Sequence, residues 1–148
     1  MSRYKNTNSD ISIGYRLKQT QHILRLHMDE ALRYLNLTTP QYAVLSHLEL
    51  REGISNPELA RVSFITAQTM HAIVSNLEKR NLLKRTSDLQ HGRMLRTELT
   101  TQGLEVVQEA HKIIKKVENR MTRTMIDKDK MLLIELLATC FDNLNADL

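Results

Sequence analysis

The residues best suited to do chemistry lie between Thr66 and Arg80, where Gln68, His71, Ala72, Ser75, Asn76 and Lys79 share one side of a helical repeat and Met70, Ile73, Val74 and Leu77 share the other. Such spacing, at about 100° per residue, separates a buried face from a solvent face. This solvent face holds small, uncharged hydrogen-bonding groups with one cation, whereas an ordinary surface helix carries more Glu and Lys. Amides, hydroxyls and an imidazole of this size suit the base edges of a major groove about 12 Å wide. With Thr66 and Thr69 at the start of the helix, they form the candidate DNA-contacting set of this stretch.

Other chemistries find little support. His22, His27, His47, His71, His91 and His111 are scattered, with no HExxH and no histidine pair four residues apart, so neither a metal site nor a catalytic set is expected. There is no phosphate-binding glycine loop, and no cofactor is expected. Cys140 is the single cysteine, which excludes an internal disulfide framework and fits a reducing cytoplasm. It lies on an apolar helical stripe with no basic neighbour within four residues, and is expected to be a small core residue.

The charge is unevenly placed. Residues 61–96 carry seven Lys or Arg against two acids, a net of +5, whereas the rest of the chain holds 14 basic and 15 acidic residues. The whole positive excess thus falls in one stretch, as a footprint for phosphate requires. Arg85, Arg93 and Arg96 join the candidate DNA contacts on this ground.

The elements that must position these groups follow from periodicity. Ile13, Leu17, Thr20, Leu24, Met28, Ala31 and Leu35 predict one helix from Ile11 to Asn36, widened by Ile23, Leu26 and Leu32. Its length, about 39 Å, exceeds what a small domain covers alone, so part of it is expected to meet another subunit. Thr39 before Pro40 predicts the cap of a second helix running to about Arg51 and ended by Gly53. Ser55 and Glu58 predict a capping box opening a short third helix to about Val62. A tight turn over 63–66 precedes the helix with the polar face. Period-two alternation at Leu83 and Arg85, then at Leu95, Thr97 and Leu99, predicts a β-hairpin around a polar loop from Ser87 to Arg93. Thr100 and Thr101 predict the cap of a long helix to about Met125 with Leu104, Val107, Ile114, Val117 and Met121 on its stripes. Asp127 is expected to cap a last helix carrying Met131, Ile134, Leu137, Phe141 and Leu144.

Short helix, tight turn, helix with a polar outer face, then basic hairpin is the order of a winged helix-turn-helix. Residues Leu59 to Arg85, with Leu77-Glu78-Lys79-Arg80-Asn81-Leu82-Leu83-Lys84-Arg85 at the helix-to-hairpin junction, resemble the MarR family of bacterial regulators, in which glycine is usual at the place of Asn81. Leu99-Thr100-Thr101-Gln102-Gly103 resembles the segment that closes that family's wing. The wing departs from the pattern at His91-Gly92-Arg93, where Asp-Arg-Arg is usual and only the last arginine is kept. The resemblance implies that Arg93 enters the minor groove. It implies a homodimer formed by the N- and C-terminal helices on a pseudo-palindromic site, and a possible small-molecule effector whose identity no residue reveals.

The expected chain is therefore mostly α, one domain over 1–148: a winged helix-turn-helix lobe with a short β-hairpin wing over 37–100, and long N- and C-terminal dimerisation helices over 10–36 and 101–148. Its expected partners are double-stranded DNA and a second copy of itself. A 41% hydrophobic and 26% charged composition, with no signal peptide or membrane span evident, points to the cytoplasm and to no membrane partner. The alternative is a winged-helix module that binds protein or RNA without reading DNA sequence. That would call for exposed aromatics. Residues 61–96 contain only Phe64, whose turn position predicts core packing.

Overall fold

The computed structural model describes residues 12–87 and 95–148. The chain divides into two compact units, Met1–Val117 and Glu118–Leu148.

In the first unit, α1 (Ile13–Leu32) starts at Ser12, whose hydroxyl accepts from the Tyr15 amide at 3.1 Å. Its helical winding ends before the predicted Asn36. The chain tightens into a 3₁₀ turn over Arg33–Leu35, and Asn36 takes a left-handed conformation at φ 52°, which asparagine tolerates better than most residues. Leu32 is buried, whereas Ile13, Leu17, Ile23 and Leu26 are exposed.

Helix α2 (Thr39–Leu50) is capped by Thr38 rather than by Thr39. Thr38 Oγ1 accepts from the Gln41 amide and Gln41 Oε1 accepts from the Thr38 amide, a full capping box. Thr39 is already helical. Its amide and hydroxyl both donate to Asp29 Oδ1, at 2.9 and 2.6 Å, and so tie α2 to α1. Gly53, at φ +72°, turns the chain into β1 (Ile54–Ser55), and α3 (Asn56–Val62) follows. The expected Ser55–Glu58 box does not form. Ser55 makes no side-chain cap bond, and the Glu58 carboxylate, which would form the other half of the box, is held by Arg51 and lies 3.8 Å from Arg61.

Helix α4 (Ala67–Lys79) is capped by Thr66, whose Oγ1 accepts from the Thr69 amide at 3.2 Å. The helix ends in a nested pair of backbone bonds, the Asn81 N–H donating to the Glu78 carbonyl and the Leu82 N–H to the Leu77 carbonyl, with Asn81 left-handed at φ 57°. Strands β2 (Leu83–Ser87) and β3 (Leu95–Leu99) pair antiparallel, Leu83 opposite Leu99 and Ser87 opposite Leu95, and β1 adds to the far edge of β3. Thr97 on β3 is fully buried and donates to Asn56 Oδ1 at 3.4 Å.

Helix α5 (Thr101–Met121) begins on Thr100, whose Oγ1 accepts from the Gly103 amide and donates to the Asn81 carbonyl. The core gathers Val44, Leu45 and Leu48 of α2, Leu59 of α3, Met70, Val74 and Leu77 of α4, Leu83 of β2, and Val107 and Ala110 of α5, all essentially without solvent contact. Fully burying one such Leu or Val contributes about 1.5–3 kcal/mol.

In the second unit, the chain turns at residues 122–126 and α6 (Asp127–Asn145) follows. Asp127 is its first helical residue and not its cap, which is Ile126 without a side-chain bond. Asp127 pairs instead with Lys130. Met131, Ile134, Leu137, Phe141 and Leu144 are exposed in the single chain. Cys140 is exposed too, against the expectation of a core thiol.

Candidate nucleic-acid interface

Helix α4 separates two environments. Met70, Val74 and Leu77 are buried to 0% exposure and Ile73 is half-buried beside them. Gln68, Thr69, His71, Ala72, Asn76 and Lys79 are exposed, as is the cap Thr66, while Ser75 is half-buried. About 100° per residue sets Gln68, Ala72, Ser75 and Lys79 opposite the core, with Thr69 and Asn76 on one flank and His71 and Glu78 on the other. Each flank is tied to a different element. Asn76 Oδ1 accepts from Gln41 Nε2 of α2 at 3.2 Å, and Glu78 holds the Arg85 guanidinium of β2. The polar face thus stands between a helix and a hairpin, each gripping it by one side chain.

The cations are not equivalent. Lys79 is exposed at the end of α4. Arg85 is only 20% exposed and its charge meets Glu78, so within the protein it anchors the hairpin to the helix. Arg80 faces away from this task, donating to the Leu35 and Asn36 carbonyls at 3.2 and 2.8 Å. Arg96 is exposed on β3, with Nη1 within 3.3 Å of where a β-carbon on Gly53 would sit. Arg93, Gly92 and the loop they belong to lie outside the described residues.

Several residues that shape the region escape a sequence reading. Gln41 had a usable signal, since Thr38-x-x-Gln41 is itself a capping-box pattern, but the Thr39-Pro40 pair competes with it. Tyr42 and Glu49 of α2 meet His111 of α5, with Tyr42 Oη 2.7 Å from Nδ1 and Glu49 Oε2 2.6 Å from Nε2. These contacts span more than 60 positions and carry no local signature. Phe64 departs from expectation: it sits in the α3–α4 turn with a left-handed backbone at φ 55° and is 82% exposed rather than packed in the core.

Among the described residues no cluster of three or more metal-binding side chains exists, and no helix is long and apolar enough to cross a membrane. A three-helix core with a polar outer face on its last helix, followed by an antiparallel hairpin, defines a winged helix-turn-helix of the DNA-binding type. Comparison with known proteins narrows this. The MarR family model matches residues 35–94. The HTH-type transcriptional repressor Rv2887 of Mycobacterium tuberculosis is 30% identical over 112 residues, 76% of this chain and 81% of its own length. The crystal structure of Rv2887 with salicylic acid superposes with a TM-score of 0.74 at 26% identity, covering 90% of this chain and 99% of that one. Apo MarR from E. coli has the same fold, with a TM-score of 0.78 at 19% identity over 88% of this chain and 97% of its own. The chain belongs to the MarR family of transcriptional regulators.

Proposed function

We propose that the protein is a cytoplasmic repressor that binds a pseudo-palindromic operator as a homodimer, with α4 in the major groove and the hairpin at the minor groove, and releases it on binding a small-molecule effector. The observation that carries this reading is the exposed polar face of α4, backed by a fully buried face and flanked by a basic hairpin. Gln68, His71, Ala72, Ser75 and Asn76 then read base edges. Thr66, Thr69, Lys79 and Arg96 meet the sugar-phosphate backbone. Arg93 enters the minor groove, and Arg85 supports the hairpin from within.

Dimerisation is supported by the apolar side chains that α1 and α6 each leave exposed in a single chain. A two-fold partner covering them gives each helix the burial it lacks and matches a two-fold operator. The effector reading is supported by Rv2887, solved with salicylic acid and with p-aminosalicylic acid. Both are small aromatic carboxylates, which makes that class the first to test.

Selection of bound duplexes from a random pool, followed by gel retardation with and without salicylate, tests the whole reading. A palindromic consensus, retarded by a dimer and released by the carboxylate, is the expected result. Equal retardation of selected and random duplex would overturn sequence reading. Exposed Phe64 favours the RNA-binding form of the alternative, and preferential binding of single-stranded RNA over duplex DNA would support it.

A further inference from the structure

On the reading that α4 enters the major groove, we infer that Gln41 of α2 dictates which kind of base edge Asn76 recognises, by locking the orientation of the Asn76 amide. Gln41 and Asn76 are 35 residues apart and meet on the exposed side of the α2–α4 contact. An asparagine amide offers an acceptor at Oδ1 and two donor hydrogens at Nδ2, and at an exposed site its two orientations are ordinarily close in energy.

Here the choice is forced from the backbone outward. The Thr38 N–H can only donate, so the atom of Gln41 that meets it at 3.0 Å is the carbonyl oxygen Oε1. Gln41 Nε2 is therefore the end that meets Asn76, and a donor must find an acceptor, which is Asn76 Oδ1 at 3.2 Å. The reciprocal bond from the Gln41 amide to Thr38 Oγ1 fixes the residue from which this reach begins. A backbone N–H at the start of α2 thus determines, through one glutamine, which end of the Asn76 amide is left without a protein partner. That end is Nδ2, which has no acceptor among the described residues.

The consequence is a restricted code. Bidentate reading of adenine requires an asparagine that both donates to N7 and accepts from N6; an Oδ1 drawn to Gln41 keeps a second lone pair, but the amide is no longer free to swing both atoms onto one base edge. Asn76 with Oδ1 turned to Gln41 faces the groove chiefly through Nδ2, a donor suited to guanine, with its N7 and O6 acceptors, or to thymine O4. Gln41 is a positioning residue: it sets specificity without touching a base.

Two substitutions at Gln41 separate positioning from simple loss of contact. Gln41→Ala frees Oδ1 and should move the preferred base, at the one position that Asn76→Ala flattens, towards adenine. Gln41→Glu keeps an acceptor for the Thr38 N–H, and so keeps the helix cap, but offers Asn76 an acceptor in place of a donor. The Asn76 amide should then reverse and present Oδ1 to the groove, moving the preference towards cytosine, whose N4 is a donor. Duplex selection and sequencing with full-length parent, Gln41→Ala, Gln41→Glu and Asn76→Ala reads all of this, with thermal melting to confirm folding. The expected shift is about tenfold or more at that single position, the scale of one good base contact. If both Gln41 variants select the parental base there while Asn76→Ala loses it, Asn76 reads DNA unaided and the inference falls while the placement of α4 stands. If Asn76→Ala itself selects the parental sequence unchanged, the inference and the role of Asn76 in base reading fall together.

Discussion

A β-carbon added to Gly103 would lie 1.8 Å from the carbonyl oxygen of Leu82. The first turn of α5 is thereby pressed against the turn that ends α4. The same junction holds three further bonds: Thr100 N–H to the Leu82 carbonyl, Thr100 Oγ1 to the Asn81 carbonyl, and the Gly103 N–H to Thr100 Oγ1. Because the obstructing atoms are backbone, no side-chain rotation relieves the clash, and Gly103→Ala must move α5 or the turn. The expected loss is on the order of 3 kcal/mol, at the upper end for overpacking. Urea unfolding checks it, and a variant within about 0.5 kcal/mol of the parent, inside the usual range for neutral surface changes, would show the contact to be wrong.

Asn81 holds the other half of that junction. Its φ of 57° is costly for most side chains and acceptable for asparagine or glycine. Asn81→Ala should lower stability by about 1 kcal/mol, whereas Asn81→Gly should be neutral or gain a few tenths, roughly the balance of easier left-handed geometry against greater unfolded freedom. Thermal melting of the three proteins should rank Gly and Asn together above Ala. An alanine variant that melts with the parent would contradict the left-handed cap.

These junctions show what the sequence makes legible. Met70, Val74 and Leu77 recur with the helical period, and nothing local competes with that signal, so the buried face of α4 could be read directly. The winged helix-turn-helix order followed from it. Caps were less legible, because each is a competition between neighbours. Thr38 and Thr39 both precede Pro40, and only tertiary structure reveals that Thr39 is drawn to Asp29 while Thr38 takes the cap. Ser55 and Glu58 have the right spacing for a box, but Arg51 reaches Glu58 first. The candidate interface was legible as a face and not as a network. Its ties to Gln41 and Arg85 depend on how α2 and β2 lie against α4, and no periodicity encodes that.

Asp29 should make stability depend on pH. Burial pushes its carboxyl up, but the Thr39 hydroxyl, the Thr39 amide and nearby Arg25 together outweigh this and hold it below 3.8, its ordinary value. A depressed folded value means that the unfolded chain binds the proton more readily, so the contribution is full above 3.8 and is lost as pH falls through the lower folded value. Asp29→Asn should therefore melt below the parent at neutral pH, with a gap that closes as pH drops below 3.8. The carboxyl is 40% exposed, so the gap should be modest. A gap that stays constant from about pH 7 to about pH 3 would exclude the carboxylate as its source.

Lys79 and Arg85 should part company when DNA binding is followed against salt. Each phosphate neutralised by a protein cation releases counterions and adds about 0.9 to the slope of log affinity against log salt. Lys79 is exposed at the end of α4, available to phosphate, so Lys79→Ala should lower that slope by about one while leaving unfolding unchanged. Arg85 is largely covered and already faces Glu78, so little of its charge remains for DNA. Arg85→Ala should leave the slope nearly as it was and weaken binding through a hairpin no longer fixed to α4. It should also destabilise the fold, because Glu78 is left without its partner. Glu78→Gln should act in the opposite sense on electrostatics: the freed guanidinium adds a cation near the duplex, and the slope should rise. Titrations of the three variants on one operator at several salt concentrations decide between these roles. If Arg85→Ala flattens the slope as much as Lys79→Ala does, its guanidinium must leave Glu78 for phosphate on binding, and Arg85 is a DNA contact after all.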